Sequence, residues 1–120
     1  MRDSKRIKED ITAVIDHIKT RVDKAILLTL PPCPLVSKTS RAWHTLHAVN
    51  THLQTLQCDD IQLIHVHKIF IKGPRKPNYG MYERRYRRRG NEAAPRTDLV
   101  HWNRKGMDAV HKAIKDHLGM

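Results

Sequence analysis

A chain of 120 residues has the length of a single domain with one modest core. Lysine and arginine number 23 against 12 acidic residues, and this net charge of +11 favours a polyanionic partner over a basic substrate. The longest unbroken apolar run, Ala25–Leu28, is much shorter than the roughly 20 residues that cross a bilayer, and the first ten residues lack a signal-like stretch. Cys33 and Cys58 cannot make a disulfide framework. We therefore expect a soluble intracellular protein, cytoplasmic or nuclear, without a membrane partner.

The first half of the chain predicts helix, strand and helix. Between Ser4 and Asp23 the apolar residues recur at steps of three and four, which is typical of an amphipathic helix. Ala25–Leu30 is short and almost wholly apolar, so we predict a strand buried on both faces of a parallel sheet. Pro31 and Pro32 end this strand, and residues 31–39 are expected to form a loop. Ser40 is predicted to cap a second helix that runs to about Leu56.

The second half predicts a strand, an arm and a helix. Ile61–Ile71 is the expected second strand, and the charged residues 72–97 are expected to form a long loop or a partly ordered arm. Asn103 is the predicted cap of a terminal helix that ends before Gly119. The resulting order α-β-α-β-arm-α predicts one α/β domain over residues 1–120, with parallel strands joined by a right-handed crossover.

Two strands alone make a marginal sheet. We therefore expect either a partner chain or oligomer that completes the sheet, or a larger fold of which this sequence is a portion. Ligands of such sheets bind beyond the carboxyl ends of the strands, where residues 31–39 and 72–102 begin.

Asp98 and His101 form the first candidate site. An aspartate three residues before a histidine can accept a hydrogen bond from Nδ1 on a turn, which leaves Nε2 as a general base. The pair lies at the predicted ligand edge and directly precedes the terminal helix. The alternative is a pair that only stabilises the turn.

These residues give the chain a family resemblance. The D-x-x-H-x-N-x-x-G pattern of Asp98, His101, Asn103 and Gly106, the strand that ends in prolines and the N-x-x-L element of Asn50–Leu53 resemble the C-terminal half of SGNH (GDSL-type) hydrolases. The likeness spans nearly all of residues 4–118 apart from the arm. It implies a partial three-layer, flavodoxin-like sheet. It also implies that His101 is the base and Asp98 its orienter in a Ser-His-Asp arrangement for ester hydrolysis.

The chain departs from that family at the nucleophile. The family's G-D-S block and its oxyanion-hole blocks are absent, and no serine is placed to attack. We therefore expect no esterase activity from the chain as it stands. The alternative is the C-terminal half of an ester hydrolase, whose serine is supplied by sequence not shown or by a partner chain.

The arm is the second candidate site. Residues 68–96 hold ten basic and two acidic side chains, which accounts for +8 of the net charge, and they include all three tyrosines. Arginine neutralises phosphates and tyrosine stacks on unpaired bases, so this composition predicts binding of RNA or single-stranded DNA. A solvated, disordered charge run is the alternative. The residues expected to contact nucleic acid are Lys72, Arg75, Lys76, Tyr79, Tyr82, Arg84, Arg85, Tyr86, Arg87, Arg88, Arg89 and Arg96.

Two groups with likeness to SGNH hydrolases join this fold to nucleic acid. One is the C-terminal domain of Oskar proteins, which lacks the catalytic set and binds RNA, and the other is the retrotransposon-encoded esterases. The resemblance thus implies a non-catalytic RNA-binding module.

If the arm turned helical, the spacing of its tyrosines would place their rings on one side.

The histidines are the remaining candidates. His44 and His47 share a helix face, and His65 and His67 share a strand face, which is compatible with zinc ligands. No closely paired third and fourth ligand is visible, so we predict half-buried histidines, no metal site and no cofactor. Trp43 and Trp102 are expected in the core or in a cleft wall.

Overall fold

The computed structural model describes residues 4–34, 39–88 and 91–120, and within these it describes residues 85–88 and 91–97 by their backbone alone. Its helices are α1 (Ser4–Lys19), α2 (Ser40–Thr55) and α3 (Arg104–Leu118), and its strands are β1 (Ala25–Leu28), β2 (Ile61–Ile64), β3 (Ile71–Gly73), β4 (Lys76–Pro77), β5 (Arg85–Arg88) and β6 (Asn91–Thr97). Two 3₁₀ helices, Val66–Phe70 and Tyr79–Met81, lie in the second half. The element order confirms a mixed α/β domain.

The helices begin where side chains satisfy their first backbone N–H groups. Asn103 caps α3 as predicted, because its Oδ1 accepts the Gly106 N–H at 2.8 Å. The prediction for α2 was one residue off, because the Oγ1 of Thr39, and not Ser40, accepts the Ala42 N–H at 3.1 Å. The first helix ends at Lys19, earlier than Asp23, where the Thr20 hydroxyl donates to the His17 carbonyl at 2.6 Å.

β1 and β2 pair in parallel with α2 as the crossover, as the sequence predicts. The register runs from Ala25 opposite Ile61 to Leu28 opposite Ile64. Burial of β1 on both faces was wrong, because Ile26 is 40% exposed. In the part of the chain that the structure describes, the strands form three separate pairs, so a three-layer SGNH-type sheet is not confirmed.

The second strand is much shorter than the predicted Ile61–Ile71. The parallel ladder stops at Thr29, whose backbone N–H donates to Ile64 O at 3.1 Å and whose hydroxyl accepts the His67 N–H at 3.0 Å. Beyond that point no strand among the described residues pairs with the chain after β2, and it turns into the 3₁₀ helix Val66–Phe70. This turn buries Val66 and Phe70 almost completely, at 1% and 0% exposure.

The backbone of the predicted arm is largely extended rather than loop or helix. β3 and β4 pair as a short antiparallel hairpin. β5 and β6 pair as a second hairpin, with Arg85 opposite Thr97. The pairing continues through hydrogen bonds of Glu83 with Leu99 and His101 to a bridge between Tyr82 and Trp102. Residues 82–88 and 91–102 therefore form one ribbon.

The main core lies where α3 packs against the two 3₁₀ helices. Its buried members are Ile64, Val66, Phe70, Tyr82 and Val110. The Trp102 ring stacks on Phe70 with centroids 4.9 Å apart, in agreement with its predicted core position.

α1 packs against α2, and the buried Asn50 of α2 fastens that helix to the end of β1. Asn50 Oδ1 accepts the Leu30 N–H at 2.7 Å, and Nδ2 donates to the Leu30 carbonyl at 2.9 Å. The amide thus substitutes for a neighbouring strand. No helix in the described ranges is long and apolar enough to span a bilayer.

Candidate nucleic-acid interface

The β3–β4 hairpin carries three exposed cations, Lys72, Arg75 and Lys76, within five residues. We call them the hairpin cations. None of them forms an ion pair with the residues that the structure describes. Arg75 lies at the turn with φ 55°, in the left-handed region that non-glycine residues seldom adopt. Its Nη1 donates to Ser40 Oγ at 3.3 Å, so the hairpin tip contacts the start of α2.

A pocket of about 460 Å³ separates this hairpin from α2. Trp43, His44 and His47 line it from one face of α2, because steps of three and four bring residues together on a helix. His67 lines it from the 3₁₀ helix, and Arg75 lines it from the hairpin. No acidic side chain is among the described residues around it.

His67 has one ring nitrogen engaged in a hydrogen bond. Its Nδ1 lies 2.7 Å from the Thr29 hydroxyl. Burial lowers the pKa of His67, and the nearby His65, Lys68 and His47 lower it further. In the described ranges no three His, Cys, Asp or Glu side chains are grouped so as to hold a metal ion, so these histidines carry no metal-site argument.

The three tyrosines predicted to stack on bases lie in different environments. Tyr79 is 41% exposed on the second 3₁₀ helix and can offer a ring face. Tyr82 is 2% exposed and packs on Phe70, and its hydroxyl donates to the Pro32 carbonyl. Burial, and then the nearby Cys33, raises the pKa of Tyr82. The Tyr82 ring is therefore a core side chain and presents no face for stacking in this structure, unlike the Tyr79 ring.

The arginine-rich segment lies on the ribbon. Arg84 is exposed, and its carbonyl accepts the Asp98 N–H at 3.0 Å. Arg85, Tyr86, Arg87 and Arg88 belong to β5 and Arg96 to β6. The side chains of these five residues and all of Arg89 lie outside the described part of the chain, so their contacts stay predictions.

Asp98 and His101 are hydrogen bonded on a tight turn. Asp98 Oδ1 accepts the backbone N–H groups of Val100 and His101, each at 2.8 Å, and Oδ2 lies 3.0 Å from His101 Nδ1. The His101 N–H holds the pKa of Asp98 below its ordinary value, although burial opposes this shift. Leu99 between them has φ 53°, and its N–H donates to Glu83 O at 2.8 Å. The ribbon therefore fixes the turn.

This pair has the geometry of an oriented base. A carboxylate accepts only, so Nδ1 of His101 carries the proton and Nε2 is left as an acceptor. The imidazole is 77% exposed, whereas Asp98 is 5% exposed. No described serine hydroxyl is hydrogen bonded to His101, and the Ser40 hydroxyl accepts from Arg75 instead. Ser37 lies outside the described residues.

The sequence did not reveal the pocket beside the hairpin. Trp43 was expected in the core or a cleft wall, and His44, His47 and His67 were weighed only as metal ligands. The shared helix face of Trp43 and His47 was the available signal. The residue spacing does not show that the chain returns at residues 71–77 and forms the wall of the pocket opposite α2.

The chain is similar to known proteins at the level of one family model. No curated protein and no solved structure gives a significant match. A family model described as the OSK domain matches residues 1–120. Because the match spans the whole chain, the protein belongs to the OSK-domain family.

Proposed function

We propose that this chain is a non-catalytic RNA-binding domain that holds single-stranded RNA along the hairpin cations and the arginine-rich ribbon. The carrying observation is the group of three exposed cations at Lys72, Arg75 and Lys76, which form no ion pair with any described residue. Family membership supports the proposal, because the OSK domain is known as an RNA-binding type of domain. The relationship to SGNH hydrolases that the D-x-x-H motif indicates is part of this proposal.

The charge of the arm and the exposure of Tyr79 together favour single-stranded RNA over double-stranded RNA as the ligand. The ten basic side chains of residues 68–96 supply electrostatic affinity for phosphates. Tyr79 supplies an exposed ring beside them, and ring stacking requires bases that are not already paired. The Asp98–His101 turn adjoins Arg84 in the ribbon, because the Asp98 N–H donates to the Arg84 carbonyl at 3.0 Å.

The test is a salt titration of binding to a fluorescein-labelled 12-nucleotide RNA, followed by anisotropy. We expect log K to fall with log[salt] by about 0.7 per phosphate contact. Replacement of Lys72, Arg75 and Lys76 by serine should reduce the slope by about 2, and the same change at Arg84–Arg89 should reduce it further. The matched control removes the same three charges from α3, at Lys105, Lys112 and Lys115, and should leave the slope near the wild-type value.

Two results count against RNA binding at these residues. One is a salt slope near zero for the unchanged chain. The other is an equal loss for the hairpin and α3 variants, because that would show a response to net charge alone.

The geometry of Asp98 and His101 favours a second candidate function. An imidazole with Nδ1 held 3.0 Å from a buried carboxylate suits the base of an ester hydrolase. We propose as the alternative that the chain contributes this pair to a serine on preceding sequence or on a partner chain. The test is co-expression with the coding sequence upstream and an acyl-ester assay. His101→Ala should abolish turnover, and unchanged turnover in that variant refutes the role.

A further inference from the structure

We propose that the pocket between α2 and the β3–β4 hairpin holds one unpaired nucleotide of the bound RNA, with its base on Trp43 and its phosphate at Arg75. This inference rests on the proposed RNA binding and assigns a specific subsite to it. It is supported by the size of the pocket, the chemistry of its walls and its continuity with the hairpin cations.

The pocket has the size and composition of a small-ligand site. At about 460 Å³ it falls within the range of roughly 300–1,000 Å³ that such sites occupy. Its walls combine an indole ring, aliphatic side chains and a few polar groups, as in sites that bury an aromatic ligand. Trp43 is half-buried and lines the cavity from α2. An indole held in this way is a stacking platform for a base.

The polar groups of the pocket divide into those in use and those available. Both the oxygen and the nitrogen of the Asn50 side-chain amide are hydrogen bonded to the Leu30 backbone, so Asn50 lines the pocket without a free polar group for a ligand. His67 uses Nδ1 on Thr29, which leaves Nε2 available. The imidazoles of His44 and His47 make no hydrogen bond with any described residue. Three imidazoles thus present donors and acceptors to the edge of a base.

The charge of the pocket selects an anionic ligand. Arg75 is the one charged side chain among the described residues that line it, and no acidic group faces it there. Its backbone is held at φ 55° at the mouth of the pocket, and residues in this sparsely populated region concentrate at binding sites. A guanidinium in this position can hold a phosphate through two parallel hydrogen bonds.

A single-stranded RNA suits this site better than a free nucleotide does, because the positive charge of the hairpin continues beyond the pocket. Lys72 and Lys76 are exposed on the same hairpin and can contact the neighbouring phosphates of a chain. A single phosphate would engage only Arg75.

The test uses ten-nucleotide oligouridine, uridine monophosphate and two kinds of pocket variant. Trp43→Ala removes the platform, and Trp43→Phe keeps an aromatic ring. Gly73→Leu adds a side chain at a residue that lines the pocket from the hairpin, where an added Cβ meets no atom within 4 Å, so this change leaves the packed side of α2 unaltered. Circular dichroism checks that each variant is folded.

We expect Trp43→Ala and Gly73→Leu each to weaken oligouridine binding by about 5- to 160-fold, the usual loss for one stacked base. The salt slope should stay near the wild-type value, because most phosphate contacts remain. Trp43→Phe should lose much less. An abasic site scanned along the oligonucleotide should weaken the wild type at one position and leave Trp43→Ala unaffected there.

The outcomes separate this inference from the function on which it rests. Wild-type affinity and salt dependence in both Trp43→Ala and Gly73→Leu overturn the pocket proposal and leave RNA binding intact. Failure of the unchanged chain to bind the oligonucleotide overturns both. Uridine monophosphate that binds as tightly as oligouridine assigns the pocket to a free nucleotide and overturns the commitment to RNA.

Discussion

Gly106 is the residue where one added methyl group should test the packing of the fold most directly. A Cβ at this position would lie 2.4 Å from the Met81 carbonyl oxygen, 3.1 Å from Phe70 Cε1 and 3.3 Å from Trp102 Cβ. The carbonyl would have to retreat by about 0.6 Å to reach even the tight limit of 3.0 Å. It cannot do so freely, because it accepts the Asn103 N–H at 2.9 Å.

The expected loss follows from two opposing effects. Overpacking against backbone costs about 1–3 kcal/mol, and the better helix propensity of alanine offsets up to roughly 1 kcal/mol. We therefore expect Gly106→Ala to lower the free energy of unfolding by about 1–2 kcal/mol, measured by urea denaturation. Gly80→Ala is the matched control, because its Cβ would meet only Asn78 Oδ1 at an ordinary 3.5 Å. A Gly106→Ala chain as stable as the wild type would refute the close approach of α3 to Met81.

Three further changes test the buried polar contacts. Asn50→Asp keeps the acceptor for Leu30 N–H but loses the donor to its carbonyl, so the free energy of unfolding in urea should fall by about 1–3 kcal/mol. Tyr82→Phe removes the hydroxyl that donates to the Pro32 carbonyl and should cost about 1–2 kcal/mol in the same assay. Asp98→Asn should flatten the loss of stability in acid. The folded chain keeps the pKa of Asp98 below its unfolded value, so the stabilisation exists above the unfolded pKa and is lost as pH falls through the folded one.

Each of these changes has a result that contradicts its reasoning. Wild-type stability in Asn50→Asp would show that the Leu30 carbonyl needs no donor. Unchanged stability in Tyr82→Phe would show that the Pro32 carbonyl needs no side-chain donor. An identical acid profile in Asp98→Asn and the wild type would remove Asp98 as a source of the pH dependence.

The helices and the parallel pair could be predicted because their signals are local. The apolar steps of three and four, the Asn103 cap and the left-handed Gly119 at the end of α3 each depend on a few neighbouring residues. The crossover rule then makes β1 and β2 parallel, as observed.

The failures occur where distant residues decide the structure. Ile61–Ile71 is apolar enough for a strand, but its pairing ends at Thr29, and the core under α3 takes Val66 and Phe70 from a 3₁₀ turn. Tyr82 resembles its neighbouring tyrosines in sequence, yet its bond to Pro32 is made 50 residues away. The Asp98–His101 hydrogen bond was predictable because three residues separate the pair, whereas the pocket beside Trp43 required a return of the chain from residue 71.

The ribbon couples the turn at residues 98–101 mechanically to the β5–β6 hairpin. Glu83 is hydrogen bonded to both Leu99 and His101, so the hairpin cannot tilt without carrying those residues along. A ligand that reorients β5 and β6 should therefore also displace His101. The NMR resonances of the solvent-facing His101 ring should report such a tilt.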